Sequence, residues 1–304
     1  MKKQTMTGHV LAFITIFIWG TTFAATKILL KAFTPEEILF YRFLIACLIL
    51  VFVYPKRHGF LGIKEELLFF ALGLTGVTLY FFMENLALQY TLATNVGLIS
   101  SSVPIFTALI AHFSTRDEKF SVDLIFGFIA AMAGIFIIIY NGRVLKLNPS
   151  GDILAVMSAV VFAIYSVLLK KVDSKYKQAF VVKKTFFYGF ICIIPITLVS
   201  GLKLQKLAYI NYNIVFNILF LAVCASVMCF IMWNKAVSVI GAVRTSNYIY
   251  FVPLITMAAS VIVLKEQVNA TMIIGGILIF VGVYFNEAKL VSRLKLKSLR
   301  WERD

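Results

Sequence analysis

The sequence predicts an all-α integral membrane protein of ten transmembrane helices, arranged as two inverted five-helix repeats. Three observations lead to this class. First, the chain is 61% hydrophobic and only 14% charged, whereas soluble domains are nearer half apolar and a quarter charged. Second, the apolar residues fall in runs of about 20, the length that crosses ~30 Å of hydrocarbon. Third, the two halves of the chain share one residue pattern.

Ten apolar runs account for most of the 304 residues, so no separate soluble domain is expected. They cover residues 9–30, 36–54, 66–88, 93–113, 121–140, 152–171, 180–200, 214–236, 241–263 and 270–288. The first run follows Lys2 and Lys3 and resembles a signal peptide. Its length and its counterpart in the second half predict that it is retained as a helix.

The positions of the basic residues predict the orientation in the membrane. If the N-terminus is inside, only seven of the 29 lysines and arginines lie in outer connections, and Arg42 lies within a span. The positive-inside rule then places both termini in the cytoplasm and the protein in the cell membrane. The basic tail from about residue 289 is expected to rest on anionic lipid headgroups. The net charge of +15 therefore does not indicate a nucleic-acid partner.

The cysteines and histidines show no spacing typical of a disulfide framework or a metal site. All four cysteines lie in predicted spans, and the three histidines are far apart in the chain: Cys47, Cys192, Cys224, Cys229, His9, His58 and His112. We therefore predict neither a metal nor a cofactor.

The internal repeat is clearest when the chain is shifted by 149 residues. Asn85, Ala93, Val103, Pro104 and Thr107 then fall on Asn234, Ala242, Val252, Pro253 and Thr256. Similar matches divide the chain into repeats at residues 1–147 and 148–304. Because five spans is an odd number, the second repeat must cross the membrane in the opposite sense. Inverted repeats are typical of secondary transporters, whose substrate site lies near mid-membrane between the halves.

Charged residues inside spans are the first candidates for the site. Lys27 lies near the outer end of helix 1, Arg42 about two turns into helix 2, and Glu84 about two turns from the outer end of helix 3. A buried charge is costly and usually faces a partner or a cavity. Two readings stay open. Glu84 either neutralises Arg42 or Lys27 and only fixes packing, or it lines the cavity and binds substrate or a coupled proton.

Other polar and aromatic residues within spans complete the set of cavity candidates. Tyr80 lies four residues before Glu84 and therefore shares its helix face. The 149-residue shift maps Glu84 onto Trp233. The full set of candidates is Trp19, Lys27, Arg42, Tyr80, Glu84, Asn85, Ser101, Pro104, Tyr165, Trp233, Asn234, Asn247, Tyr250 and Pro253.

Prolines and glycines predict where helices bend and where they pack closely. Pro104 and Pro253 lie near mid-span in helices 4 and 9, where each removes a backbone donor. Either they only kink the two helices, or they make a polar, flexible wall of the transport path, with Ser100–Ser102 satisfying the backbone in helix 4.

Small residues allow close helix approach, so the glycine pairs in helices 5 and 10 predict scaffold packing or a dimer contact: Gly127, Gly134, Gly275 and Gly282. The protein is expected to be a monomer or a homodimer.

Several stretches resemble the EamA-type drug/metabolite transporter superfamily. In the first half they are residues 19–23 with Lys27, Pro35 with Arg42, and residues 87–93 followed by Pro104. In the second half they are Asn234-Lys235-Ala236, Ala242, Pro253 and Leu264-Lys265-Glu266, followed by the Gly275/Gly282 helix. No single motif is specific, but their order and spacing over the whole chain are.

The resemblance implies a ten-helix inner-membrane carrier with both termini cytoplasmic. It further implies a central cavity lined mainly by helices 1, 3, 4, 6, 8 and 9, with helices 5 and 10 peripheral. Members of the superfamily mostly export amino acids, other metabolites or drugs, and some import them. Lys27 and Arg42 match typical positions of the superfamily, whereas Glu84 is not general to it.

The predicted function is secondary active transport of small metabolites or drugs, most simply export by alternating access with proton coupling through Glu84. A passive facilitator on the same fold is the alternative. An intramembrane enzyme would need a nucleophile with a base at depth, and no buried His or Asp is expected beside Ser100–Ser102. We therefore do not predict an enzyme.

Overall fold

A computed structural model describes residues 2–56, 59–114, 149–201 and 211–288, with short stretches between 125 and 137. Every regular element in these ranges is helical. We number the helical segments α1 (Lys2–Leu29), α2 (Pro35–Val53), α3 (Ile63–Tyr90), α4 (Ala93–Ser114), α5 (Ile125–Gly134), α6 (Pro149–Leu169), α7 (Gln178–Ser200), α8 (Tyr212–Ile240), α9 (Ala242–Leu264) and α10 (Ala270–Ala288). The predicted all-α fold with ten spans is confirmed. The rest of the predicted span 121–140 and the basic tail lie outside the described residues.

The helices have the length and surface of membrane spans. Within the described residues, α1, α3, α4, α6, α7, α8 and α9 are long and apolar enough to cross a bilayer, and α5 and α10 contribute shorter apolar stretches. α2 has 19 residues and carries three charges, at Glu36, Glu37 and Arg42. Large apolar side chains cover the outside of the bundle, including Phe13, Phe17, Phe52, Leu198, Val199 and Ile262. So much exposed apolar surface is expected where the solvent is lipid.

The two repeats run in opposite senses. We call the face at which α1 begins the N-terminal face and the opposite face the distal face. α1 ends at the distal face, where Lys27 meets the end of α3. α6 begins at that same face, since Asp152 in its first turn bonds Thr91 just after α3. α6, the counterpart of α1, therefore crosses the bundle in the opposite direction.

Packing follows the same symmetry. α1 packs on α8, α6 packs on α3, and these two pairs are equivalent in the two repeats. Likewise α1 packs on α9 as α6 packs on α4, while α2 packs on α7. Most contacts that hold the bundle together thus join one repeat to the other.

Irregular helical turns recur at equivalent places in the two repeats. A π-helical turn interrupts α3 at Leu74–Leu79 and α8 at Phe220–Met228, and the 149-residue shift maps the first into the second. A π turn takes up extra residues and therefore re-aims the side chains that follow it. In α3 those side chains include Tyr80 and Glu84. Nothing in the apolar sequence of these two segments predicted the π turns.

The proline helices are broken, as predicted. α4 consists of Ala93–Ser100 and Val103–Ser114 with a turn between them. α9 passes through a 3₁₀ turn at Asn247–Phe251 before its second α-helical part. Pro104 and Pro253 are each the second residue of the part that follows, where a missing backbone donor costs least. The hydroxyls of Ser100, Ser101 and Ser102 donate to carbonyls one turn earlier in α4.

The glycine pair in α5 and α10 marks a close helix contact. A methyl group added to Gly134 would lie 2.5 Å from the carbonyl oxygen of Gly275. The two peripheral helices therefore meet backbone to backbone at these glycines, which agrees with the scaffold-packing alternative.

Candidate functional site

A small cavity lies between the two repeats in the middle of the bundle. Its volume is about 30 Å³, room for about one or two water molecules. Five helices line it, with Trp19, Thr22 and Phe23 from α1, Tyr80 and Phe81 from α3, Ser100 and Val103 from α4, Phe162 from α6, and Ile249 and Val252 from α9. Two of the sequence candidates, Trp19 and Tyr80, thus face the cavity directly.

Aromatic rings make most of the cavity wall. The ring of Trp19 lies 5.6 Å from that of Phe162, and the ring of Tyr80 lies 4.8 Å from Phe162. α8 stands behind this wall, with Trp233 5.0 Å from Trp19. The indole Nε1 of Trp19 donates to the carbonyl oxygen of Ala225 in the π turn of α8 at 2.9 Å. The predicted role of α8 as a lining helix is therefore indirect, because it positions Trp19.

The buried charges lie beside the cavity. Glu84 and Arg42 are 3% and 1% exposed. The hydroxyl of Tyr80 and the guanidinium of Arg42 are the groups that interact with the Glu84 carboxylate. In the described chain no direct ion pair joins Arg42 to Glu84. Tyr80 therefore links the carboxylate to the cavity, since its ring lines the cavity and its hydroxyl reaches Glu84.

Arg42 is held mainly by a hydroxyl and an aromatic ring. Its Nε donates to Ser226 Oγ at 2.7 Å, and its guanidinium carbon lies 4.0 Å from the centre of the Phe81 ring. Its Nη1 atom is buried without a partner. Because Phe81 also lines the cavity, its ring separates the cavity from the guanidinium.

Lys27 is not the partner of Glu84. Its ammonium group donates to the carbonyl oxygens of Leu88 and Thr91, at 2.5 Å each. These are among the last carbonyls of α3, which lack partners within their own helix. A cation at this position also complements the negative end of the helix dipole. Lys27 therefore caps α3, and of the two partners that the sequence left open for Glu84 only Arg42 interacts with it.

Four other candidates, Asn85, Ser101, Tyr165 and Asn234, make contacts within or between helices away from the cavity lining. Asn85 donates to the carbonyl oxygen of Pro35 at 3.3 Å, and Ser101 donates to that of Leu98. The hydroxyl of Tyr165 donates to Asn234 Oδ1 at 2.8 Å, which joins α6 to α8 behind the aromatic wall.

The last four candidates belong to the broken helices. Asn247 and Tyr250 lie in the 3₁₀ turn of α9, next to the cavity-lining Ile249. Pro104 and Pro253 are buried and each follows a cavity-lining valine. The breaks of both helices therefore adjoin the cavity.

Comparison with known proteins identifies the family. The family model described as the EamA-like transporter family matches residues 6–140 and 149–287. This chain belongs to the EamA-like transporter family. The resemblance seen in the sequence is thereby confirmed.

Relatives and solved structures agree with this assignment. An uncharacterized transporter of Archaeoglobus fulgidus is 31% identical over 92% of this chain and 97% of its own. The uncharacterized transporter YcxC of Bacillus subtilis is 24% identical over 97% of both chains. A solved crystal structure matches with a TM-score of 0.66 over 92% of this chain and 96% of its own, at 17% identity, which supports the fold. The protein is a multi-pass membrane transporter with a small-molecule substrate.

Two acids of this EamA-like transporter, Asp152 and Glu266, were not among the site candidates that the sequence predicted. Asp152 is fully buried in the first turn of α6, and Glu266 accepts bonds from the backbone amides of Ala93 and Thr94 at 2.9 and 3.1 Å. Asp152 begins a predicted span and Glu266 lies in the connection between two predicted spans, and an acid at either place is normally solvated. Only their contacts with the start of α4 and the residues before it distinguish them.

Asp152 is a buried Asp, the residue type that the sequence did not predict beside Ser100–Ser102. It does not serve Ser100–Ser102, because it accepts bonds from Thr91 and Asn95 and the three serine hydroxyls bond their own helix. Among the described residues, no group of three His, Cys, Asp or Glu side chains can hold a metal ion.

The two faces of this EamA-like transporter differ. At the N-terminal face, a cavity of about 250 Å³ adjoins Lys170, Asn234 and Gly241, and another of about 420 Å³ adjoins Tyr176 and Lys235. At the distal face, the ends of α1, α3, α4 and α6 are joined by the bonds of Lys27, Asp152 and Glu266 described above. Two cavities thus lie at the N-terminal face, while at the distal face bonded charged groups join the described ends of four helices.

Proposed function

We propose that this EamA-like transporter is a secondary active exporter of small metabolites, amino acids or related compounds, or of drugs. It works by alternating access, with Glu84 as the proton-coupling group. The observation that carries the proposal is the position of Tyr80, whose ring lines the central cavity while its hydroxyl interacts with the buried Glu84 carboxylate. A change in the charge of Glu84 therefore acts directly on Tyr80, which is part of the cavity wall.

The incomplete neutralisation of Glu84 by Arg42 supports the role of Glu84 in proton coupling. Arg42 interacts with Glu84 but makes no direct ion pair with it in the described chain, and its Nη1 lacks a partner. A carboxylate that a cation neutralises only partly at depth can exchange a proton at moderate cost. Substrate binding in the adjoining cavity would change that cost, which is the requirement for coupling.

The orientation follows from the basic residues. By the positive-inside rule, the N-terminal face lies on the cytoplasmic side of the cell membrane. The cavities at that face would then correspond to a state that receives substrate from the cytoplasm. The small central cavity must enlarge to hold a metabolite, so its aromatic wall has to move during the cycle.

The first experiment identifies a substrate. Purified protein in liposomes is tested by counterflow against labelled amino acids, nucleobases and a cationic dye. Counterflow needs no proton gradient, so a proton-coupled exporter and a passive facilitator both give a signal. Empty liposomes are the control.

The second experiment tests the coupling with the substrate so identified. An imposed pH gradient should drive accumulation in the unsubstituted protein, and Glu84→Gln should lower that accumulation by about tenfold or more while counterflow persists. Glu36→Gln, the same substitution at the start of α2, should have no effect. Accumulation that survives Glu84→Gln would refute the coupling role, and no accumulation in the unsubstituted protein would identify a passive facilitator.

A further inference from the structure

The connection between α3 and α4 is held by charged groups from three other elements. Lys27 of α1 caps the last carbonyls of α3, and Glu266 before α10 accepts from the first amides of α4. Asp152 of α6 bonds Thr91, within the connection, and Asn95, in the first turn of α4. We call Lys27, Asp152 and Glu266 the distal clamp. Each repeat contributes to it, so it must loosen before the distal face can open.

The three members of the distal clamp are not equally satisfied. Lys27 has two carbonyl acceptors and an electrostatic interaction with Glu266, and Glu266 has three donors from Ala93 and Thr94. Asp152 has two neutral donors on one oxygen, the hydroxyl of Thr91 at 2.7 Å and the amide of Asn95 at 3.3 Å. Its other oxygen, Oδ2, is buried without a partner.

A second unpartnered acceptor lies in the same cluster. The side-chain amide of Asn95 donates to Thr91 Oγ1 and to Asp152 Oδ1, and its own Oδ1 is buried without a partner. Asp152 and Asn95 are both 0% exposed. Two buried acceptors on adjoining side chains lack a donor, and an unsatisfied buried polar atom is unfavourable. One proton on the carboxyl group would remove the charge and supply a donor.

The charged and titratable groups around Asp152 do not supply that donor. From the packed elements these are Lys27 of α1, Tyr90 and Glu84 of α3, and Glu266 before α10. Lys27 is bonded to carbonyl oxygens, Glu266 and Glu84 are acids, and Tyr90 lies beside Gly151 at the start of α6, where it is 45% exposed. Within the described chain, Asp152 has no ion-pair partner. A carboxylate so placed bears a desolvation penalty that its two neutral hydrogen bonds offset only in part.

From this geometry we propose that Asp152 carries a proton while the distal face is closed and releases it when that face opens. Opening moves α6 away from the α3–α4 connection and lets water solvate the carboxylate. Since the closed state binds the proton more tightly, low pH favours the closed state and high pH favours opening. Asp152 is thus a second proton site, separate from Glu84, and it acts on the gate. This inference rests on the proposed alternating access.

The test measures how accessible the α3–α4 connection is. In full-length protein with its four native cysteines replaced, one reporter cysteine is placed at Ala93, which is 0% exposed, and a reference cysteine is placed at Tyr90 in a matched protein. Both proteins, in lipid nanodiscs, are labelled with a membrane-impermeant maleimide at a series of pH values over which the protein stays monodisperse. The ratio of the two rates cancels the pH dependence of the thiol reaction.

The ratio should rise by about fivefold or more with pH when Asp152 is present. Asp152→Asn keeps an acceptor and supplies the missing donor, so its ratio should stay low at every pH. Glu84→Gln should keep the rise, which separates this site from the proposed coupling site even if no substrate is found. A flat ratio with Asp152 present, or an unchanged rise in Asp152→Asn, would overturn the proposal.

A second variant protects the test against misfolding. Thr91→Val removes the hydroxyl that donates to Asp152 Oδ1, which disfavours the carboxylate, so the rise should move to higher pH. If Asp152→Asn is not monodisperse by size-exclusion chromatography, this variant decides. A rise that stays at the same pH in Thr91→Val would then refute the proposal.

Discussion

The two repeats share a backbone but not a chemistry. Each has a π turn in its third helix and a break in its fourth, at positions that the 149-residue shift superposes. The same shift maps Glu84, which follows the π turn of the first repeat, onto Trp233 in the second repeat. The shared irregular turns give both repeats the same means of bending, as a carrier that opens to either face requires. The unshared side chains place a buried carboxylate behind Tyr80 and an indole ring behind Trp19, two residues that line the cavity.

The largest effect is expected from removing the charge partner in the first repeat. Arg42→Met should destabilise the protein by about 3–5 kcal/mol, because it leaves Glu84 buried without a cation. Adding Glu84→Gln should recover at least about 1 kcal/mol of that loss, since the two residues interact. SDS-induced unfolding of the two single variants and the double variant measures this coupling. Strictly additive losses would show that Arg42 and Glu84 are independent.

A smaller effect is expected at the π turn of the first repeat. A methyl group added to Gly76 would lie 2.3 Å from the Tyr165 ring, so Gly76→Ala should cost about 1–3 kcal/mol by overpacking. The equivalent position in the second repeat is Ala225, which already carries a methyl group and is fully buried. Thermal unfolding in detergent should show a lower melting temperature.

The control for Gly76→Ala is Gly59→Ala, because a methyl group there meets no atom within 4 Å. Gly59→Ala should leave the melting temperature unchanged. If Gly76→Ala also leaves it unchanged, the close contact between α3 and α6 is not required.

The smallest effect separates the two tryptophans that face each other across the repeats. Trp19→Phe loses the bond to the carbonyl oxygen of Ala225 and should cost about 1 kcal/mol. Both substitutions also remove the same ring volume. Trp233→Phe removes an indole Nε1 that is buried without a partner, so beyond that shared loss its cost should be about 0.5 kcal/mol or less. Melting temperatures of the two variants test this order, and an equal loss would contradict it.

Much of the fold was predictable because the membrane simplifies the problem. Spans must be about 20 apolar residues long, and an odd number of spans per repeat forces inversion. Pro104 and Pro253 correctly marked the helix breaks, since the missing donor of proline is a local property. The π turns were not predictable, because Leu74–Leu79 is as apolar as an ordinary span.

The site was predictable only in part. Trp19, Tyr80 and Glu84 could be selected as candidates because polar and aromatic residues are conspicuous in an apolar span, and the structure places them at or beside the central cavity. The cap formed by Lys27 and the burial of Asp152 could not be found, because both depend on which helix ends meet at the distal face.

By itself, the sequence determined the helical membrane class, the number of spans and their inverted repeat, since length, hydropathy and periodicity are properties of the chain. Only the tertiary structure decided which charges meet. It placed Tyr80 between Glu84 and the cavity, Phe81 between the cavity and Arg42, and Asp152 at the α3–α4 connection. The physical reason is that the energy of a buried charge depends on the atoms around it, and helices far apart in the chain supply those atoms.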